Sequence, residues 1–256
     1  MTSSVRLPPP TYASPVPDAQ RDAVPALVTV HLWGVPSRAV PSAFIAMGRD
    51  RRPLHQVPGL RFGKLLGTGS GESFTPRDAD PRHWGVLATW DSAEAADAFE
   101  DSDLVRRWDA RADERVRLAL RPLTSKGRWA GRTPFGDPSP TKHDGPVAAL
   151  TRARIKPRLW RTFWSSVPPV SAKLNDSPGL MLRVGIGEAP VGLQGTFSMW
   201  ASSNALRDFA HRSAEHQAVI ARTRELDWYS EELFARFAVL AAEGDYAGTR
   251  FDLPAP

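Results

Sequence analysis

The chain has 256 residues, 41% of them hydrophobic, and a formal charge of +5 at pH 7, which suits one large globular domain or two of roughly 100–150 residues. It contains no cysteine, so disulfide frameworks, thiolate metal sites and cysteine nucleophiles are excluded. No apolar run approaches the ~20 residues of a membrane helix and no apolar signal core opens the chain, so a soluble cytoplasmic protein is expected, and the basic charge is too dispersed to point to nucleic acid.

Residues 1–25 carry Pro8-Pro9-Pro10, Pro15, Pro17 and Pro25 and read as a disordered tail, because proline supports neither a helix interior nor a central strand. An N-terminal unit follows over residues 26–131. Its pattern predicts an extended segment from Leu27 to Trp33, a helix from Val40 to Gly48, and a strand from Leu60 to Leu66 ended by Gly67-Thr68-Gly69. A strand from Gly85 to Trp90, an amphipathic helical region from Ser92 to about Glu114 and a strand from Val116 to Leu123 complete it. Residues 132–146, with Pro134, Pro138, Pro140 and Pro146, read as a linker.

A C-terminal unit over residues 147–242 repeats the pattern. Val147 to Ile155 is extended, Leu159 to Leu174 helical with a break at Pro168-Pro169, and Leu180 opens a strand ended by Gly185-Ile186-Gly187. Thr196 to Trp200 is a strand, Asn204 to Leu226 helical, Leu233 to Leu240 a strand, and residues 243–256 a C-terminal tail. Pro58-Gly59-Leu60 precedes Pro178-Gly179-Leu180 by 120 positions, while Trp90 precedes Trp200, and Phe99 precedes Phe209, by 110. Two tandem ferredoxin-like β-α-β-β-α-β repeats account for these offsets; chance similarity between two α+β halves is the competing account. The fold class expected is α+β, each repeat an antiparallel sheet with helices on one face, packed sheet to sheet as a dimeric-α/β-barrel-like unit in one chain.

Most motif readings are bland. Gly67-Thr68-Gly69-Ser70-Gly71 lacks the helix that a phosphate loop needs immediately after it, and Pro76 argues against one. A tight sheet corner or pocket rim suits it better. No His pair has metal-ligand spacing and no serine-hydrolase elbow occurs. Ser213 is a candidate N-cap, which places His216 in the first turn of a helix on one face with Val219, Ile220 and Thr223. A helix N-terminus disfavours imidazolium, leaving a neutral ring that can ligate a metal; taken alone, the residues favour a buried histidine bonded to a carbonyl. Nine tryptophans serve equally as core filler or as the walls of a cavity for a flat macrocycle or polyene. Arg152, Arg154 and Lys156 alternate on one side of a strand, as a solvated edge or as an anion site.

Several strings carry a resemblance. Thr151-Arg152-Ala153, Phe163-Trp164, Gly185-Ile186-Gly187-Glu188-Ala189-Pro190, Thr196-Phe197-Ser198-Met199-Trp200 and the run Trp228 to Phe237 resemble the spheroidene monooxygenase family of acyclic carotenoid 2-ketolases. In the first half, Arg51-Arg52-Pro53-Leu54, Phe74-Thr75-Pro76-Arg77 and Gly127-Arg128-Trp129-Ala130-Gly131 fit as well, and the likeness covers about residues 27–242. The resemblance implies haem-dependent monooxygenation of a small apolar substrate with O2 and electrons from a ferredoxin-type donor. It implies haem b, with His216 at the position of the family's ligand to iron; the absence of cysteine excludes only a thiolate ligand. Arg152, Arg154 and Arg183 are then the candidate partners of the haem propionates, and Phe197, Met199 and Phe209 candidate cofactor-binding residues. Arg106 aligns with His216 and cannot ligate a metal, so one haem per chain is expected, in the C-terminal repeat. His211 departs from the expected pattern. Three further matters stay open: chemistry on an N–O substrate as in aldoxime dehydration, a non-enzymatic haem or apolar-ligand carrier, and peripheral membrane contact. No oligomeric state is implied.

Overall fold

The structure is a computed structural model that describes residues 22–70, 78–155, 177–189, 195–212 and 229–254. The first half contains β1 (Leu27–Gly34), α1 (Val40–Arg49), α2 (Arg51–His55), β2 (Leu60–Gly69), β3 (Ala79–Trp90), α3 (Ala93–Glu100), α4 (Asp103–Asp109) and β4 (Glu114–Gly127). The second contains β5 (Val147–Ile155), β6 (Leu180–Gly187), β7 (Gly195–Trp200), α5 (Ser203–Arg212), β8 (Tyr229–Tyr246) and β9 (Thr249–Leu253). The helix expected over 159–174 and the continuation of α5 beyond Arg212 lie outside the described residues.

The protein is α+β with antiparallel pairing throughout. Its strands run β4-β1-β3-β2-β6-β7-β5-β8-β9, and β4 also pairs with β8. Each half thus has the same internal order, and two seams join the halves into a ring of eight hydrogen-bonded strands with β9 outside it. This differs from two separate sheets meeting only through their faces. The outer strands of the halves pair with each other because an unpaired edge leaves a row of N–H and C=O groups unsatisfied. At one seam Gly67, Thr68 and Gly69 pair with Gly187, Ile186 and Gly185. The two Gly-x-Gly strings, expected as corners or pocket rims, are therefore partners of one another, and glycine allows the close backbone approach. The other seam runs from Val116↔Gly244 to Gly127↔Leu233.

Strand alternation divides the core in two. Val28, Val30 and Leu32 of β1 point to the face without helices, where they share one cluster with Ala148, Leu150, Phe197, Met199 and Phe237 of the other half. Leu27 and Trp33 point to the helix side and pack with Met47, Phe99 and Trp108. On the second half, Val147 and Trp200 pack beneath Leu206 of α5.

Local chemistry corrects four boundaries. The helical region expected from Ser92 to Glu114 is two helices, because Ser92 and Ser102 each accept a hydrogen bond from a backbone N–H three residues on, at 3.2 Å, which starts a new helix at each serine. The segment 132–146 is irregular but not a free linker: Phe135 is fully buried and packs edge-on against Phe237, with ring centres 4.9 Å apart. Residues 22–25, assigned to the tail, are tethered, since the Asp22 carboxylate accepts from Thr133 N at 3.1 Å and from Arg132 at 2.9 Å. The supposed tail from 243 onward is the end of β8 and a hairpin to β9, turned by Ala247 (φ 49°) and Gly248 (φ 78°), a pair of left-handed residues that suits a two-residue connection.

Candidate functional site

Register makes the halves comparable residue by residue. β1 pairs β3 as Leu27↔Trp90, and β5 pairs β7 as Val147↔Trp200. The helix-side residues of β1, namely Thr29, His31 and Trp33, therefore correspond to Ala149, Thr151 and Ala153 of β5. By the same registers Val86 corresponds to Thr196 and Ala88 to Ser198, while Leu65 corresponds to Gly185 and Gly63 to Arg183. In β8, Arg236 stands where β4 has Ala119. The first half fills its helix side with Trp33, Leu65, Val86, Phe99 and Trp108. The second half presents a floor of small side chains instead, bounded by Arg183 on β6 and Arg236 on β8. At one end Trp200 stacks on Phe209 of α5 at 5.0 Å between ring centres, and its indole N–H donates to Ser198 Oγ at 3.0 Å.

The sheet itself separates the residues predicted as cofactor contacts. Arg183 and Phe209 are on the helix side. Phe197 and Met199 are buried in the shared core on the other side, so they cannot line a site beneath the helices. Their alternation with Ser198 and Trp200 is legible in the sequence; which of the two faces packs into the shared core is not. Arg154 is exposed on β5, on the same strand side as Arg152. His216 and the side chain of His211 lie outside the described residues. Among the described residues no cluster of three or more His, Asp or Glu could hold a metal ion.

Arg152 is corrected most fully. It is 1% exposed and donates to Glu188 at 2.5 Å and to Glu231 at 2.5 Å, while its guanidinium lies 5.3 Å from the centre of the Trp129 ring. Glu188 also accepts from Lys64 at 2.8 Å and Trp129 Nε1 at 2.9 Å; Glu231 accepts from the backbone N–H groups of Ala130 and Gly131. Burial opposes ionisation of Glu188, but Lys64 and Arg152 outweigh it and hold the carboxyl down to about 2. Burial likewise opposes Glu231, and the two amides and Arg152 lower it. Three of the strings that carry the family likeness, Gly127 to Gly131, Gly185 to Glu188 and the run through Glu231, therefore meet in one ion cluster. Arg152 is committed there, on the face opposite the helices, rather than free to pair with a propionate as expected.

Two histidines that sequence reasoning left unassigned hold the first half together. His31 is fully buried, donates through Nε2–H to the ionised Glu100 carboxylate at 2.7 Å, and stacks on Trp33. Burial lowers its pKa and outweighs the opposing pull of Glu100. His83 places Nδ1 2.6 Å from Asp80 and Nε2 2.6 Å from Glu114. Burial alone would lower its pKa, but the two carboxylates raise it, so the ring is an imidazolium donating to both. It borders an open cleft of about 410 Å³ with Arg82, Asp113 and the Ala247–Gly248 turn.

The ring of strands with helices on its outer side defines a class shared with solved enzymes. An aldoxime dehydratase in complex with butyraldoxime superposes with a TM-score of 0.56 over 86% of this chain and 81% of that one, at 12% identity. A second aldoxime dehydratase gives 0.53 over 90% and 89%, at 13% identity; these are likenesses of fold. No protein-family model matches the chain. Direct relatives are closer. The spheroidene monooxygenase of Rhodobacter capsulatus is 41% identical over 216 residues, covering 82% of this chain and 88% of that protein. That of Rubrivivax gelatinosus is 38% identical over 232 residues, covering 90% and 84%, and that of Cereibacter sphaeroides 33% identical over 206 residues, covering 79% and 63%. The chain belongs to the spheroidene monooxygenase family.

Proposed function

We propose that the protein is a haem-dependent monooxygenase that oxidises a linear, apolar polyene, with O2 as oxidant and a ferredoxin-type protein as electron donor. The observation that carries this reading is the identity of 33–41% to three proteins named spheroidene monooxygenase. In each turnover a methylene C–H becomes C–OH: one atom of O2 enters the substrate, the other leaves as water, and two electrons and two protons are consumed. A second turnover at the same carbon yields a geminal diol, which loses water to a ketone. The tandem ferredoxin-like architecture, closed as a barrel, would hold one haem in the C-terminal half with His216 on iron.

The residues on the helix side of that half suit a flat apolar group. Small side chains give the floor its depth, Trp200 and Phe209 stack as an aromatic wall at one end, and arginines supply positive charge at the borders. Haem, when bound, would supply dioxygen activation. The protein's own residues would orient the polyene and keep water from the reacting carbon. No helix among the described residues is long and apolar enough to cross a membrane; a cytoplasmic protein touching the bilayer peripherally would meet a substrate dissolved there.

The test is turnover of a linear carotenoid by the haemin-loaded protein with a ferredoxin and its reductase under ¹⁸O2. The expected product is a ketone, formed only with O2 and reductant and labelled before exchange with water. Conversion at an equal rate without O2 would favour the dehydratase-like alternative. A protein whose spectrum does not respond to carbon monoxide after reduction would favour a carrier with a filled coordination sphere.

A further inference from the structure

We propose that the exposed face of α1 and α2 docks on an anionic phospholipid bilayer, with Ile45 entering the headgroup layer and Arg38 and Arg52 meeting lipid phosphates; the choice of a bilayer over another anionic partner rests on the polyene reading above. Residues 35–70 hold six lysine and arginine side chains against one acid, Asp50. Their net charge equals the +5 of the whole chain, so the remaining residues balance to zero. Arg61 and Lys64, on β2, are taken up by Asp91 and Glu188. The other four, Arg38, Arg49, Arg51 and Arg52, stand on α1, α2 and the turn before α1.

Helical spacing gathers this charge around one apolar residue. Ser42, Ile45, Arg49 and Arg52 are exposed at intervals of three and four, so they share an outward face. Ala43, Ala46 and Met47 of α1 pack into the core on the other side. Arg38 is exposed one turn before Ser42. Ile45 is 70% exposed, the most open large hydrophobic side chain among the described residues. Asp50 adds no negative charge to this face: it is fully buried and accepts from Arg49 Nε at 2.7 Å and from Arg107 of α4 at 3.1 Å. Arg111 stands beside them. Burial and then Arg49 push its guanidinium down, and Asp50 offsets this only in part. Three guanidinium groups thus share one carboxylate, which leaves a positive field at the end of α1. An aliphatic side chain ringed by arginines suits an interfacial helix, whose apolar residue is buried at the boundary of headgroups and acyl chains while its cations meet anionic lipid. A second copy of the chain would bring arginine against arginine in a two-fold contact. An acidic protein would satisfy the arginines, but the bilayer also takes up Ile45 and dissolves a polyene.

The test sediments the full-length protein with vesicles of phosphatidylcholine, and with vesicles of phosphatidylcholine and phosphatidylglycerol in equal parts. The wild type is expected to pellet with the anionic vesicles, to be released from them by salt, and to stay in solution with the neutral ones. Arg38→Gln/Arg52→Gln is expected to lower the partition coefficient about tenfold or more, each arginine being worth about fivefold, and Ile45→Ser to lower it about fivefold. Lys142→Gln/Arg250→Gln removes the same charge from exposed sites elsewhere and is expected to bind within about twofold of the wild type. The chain has no cysteine, so Ser42→Cys carries a single nitrobenzoxadiazole label on the docking face with every arginine kept. Its fluorescence is expected to rise on anionic vesicles, and that of the same label on Lys142→Cys to stay unchanged. Wild-type protein left in solution by anionic vesicles overturns the proposal without touching the catalytic reading, since no turnover is measured; vesicle binding by a protein that converts no carotenoid would leave the docking face standing. Equal losses in the Arg38/Arg52 and Lys142/Arg250 pairs, or a silent label at position 42, also overturn it. A ferredoxin bound by the wild type and lost in Arg38→Gln/Arg52→Gln, with no vesicle binding, assigns the face to an acidic protein instead.

Discussion

Arg152→Met removes the cation at the centre of the buried ion cluster while keeping most of the side chain's apolar length. Glu188 would retain Lys64 and Trp129, and Glu231 the amides of Ala130 and Gly131. Breaking a buried pair by deleting one partner costs about 3–5 kcal/mol, and the surviving partners place this case at the lower end. The carboxyl of Glu188 sets an upper bound on one arm of the cluster: its drop from 4.5 to about 2, owed first to Lys64 and then to Arg152, corresponds to about 3 kcal/mol, of which the variant keeps the Lys64 share. A loss of about 3 kcal/mol in a chain of this size lowers Tm by roughly 6–10 °C. The sign with pH follows from a depressed carboxylate. The stabilisation is present above the unfolded value of 4.5 and is lost as pH falls through about 2, so the gap between variant and wild type narrows below pH 4.5. Urea unfolding of both proteins at pH 7 and pH 4, read by circular dichroism, measures it. A gap under about 1 kcal/mol at pH 7 would refute the view that this cluster fastens β5, β6 and β8 to the Trp129 loop. Arg152→Lys keeps the charge but not the two-pronged geometry, and should fall between the two.

Two smaller perturbations probe the far end of the ring. His83 has a raised pKa, so the stability it contributes is complete below 6.5 and is lost as pH rises through its folded value; His83→Gln should flatten the fall in urea midpoint above pH 6.5, and parallel pH profiles for variant and wild type would contradict the imidazolium assignment. Ala247 holds φ 49° in the β8–β9 turn, a left-handed conformation that costs a non-glycine residue about 1 kcal/mol, so Ala247→Asn should raise stability by about 0.5–1 kcal/mol; an unchanged or lower unfolding midpoint would show that the turn residue is not under strain.

Much of this molecule was readable in one dimension. The matched offsets of Pro58-Gly59-Leu60 and Trp90 announced two halves with equivalent elements, since residues spaced alike along a chain form alike elements locally. The alternation Thr196 to Trp200 identified which side chains share a face. Glycine and proline marked most element ends, and Ser92 the start of a helical region, whose division by a second serine cap at Ser102 only the structure showed. Long-range pairing was another matter. That the Gly67 and Gly185 strings pair with each other, that Arg152 is spent on Glu188 and Glu231, and that Phe135 enters the shared core are all contacts between residues distant in sequence. Period-two alternation says that Phe197 and Ser198 face opposite ways but not which way the helices lie, because both faces of this sheet are covered. Only the closed ring of strands decided that. It turned the bulky face inward as core and left the small residues of β5 and β7, with Arg183 and Arg236 beside them, on the helix side.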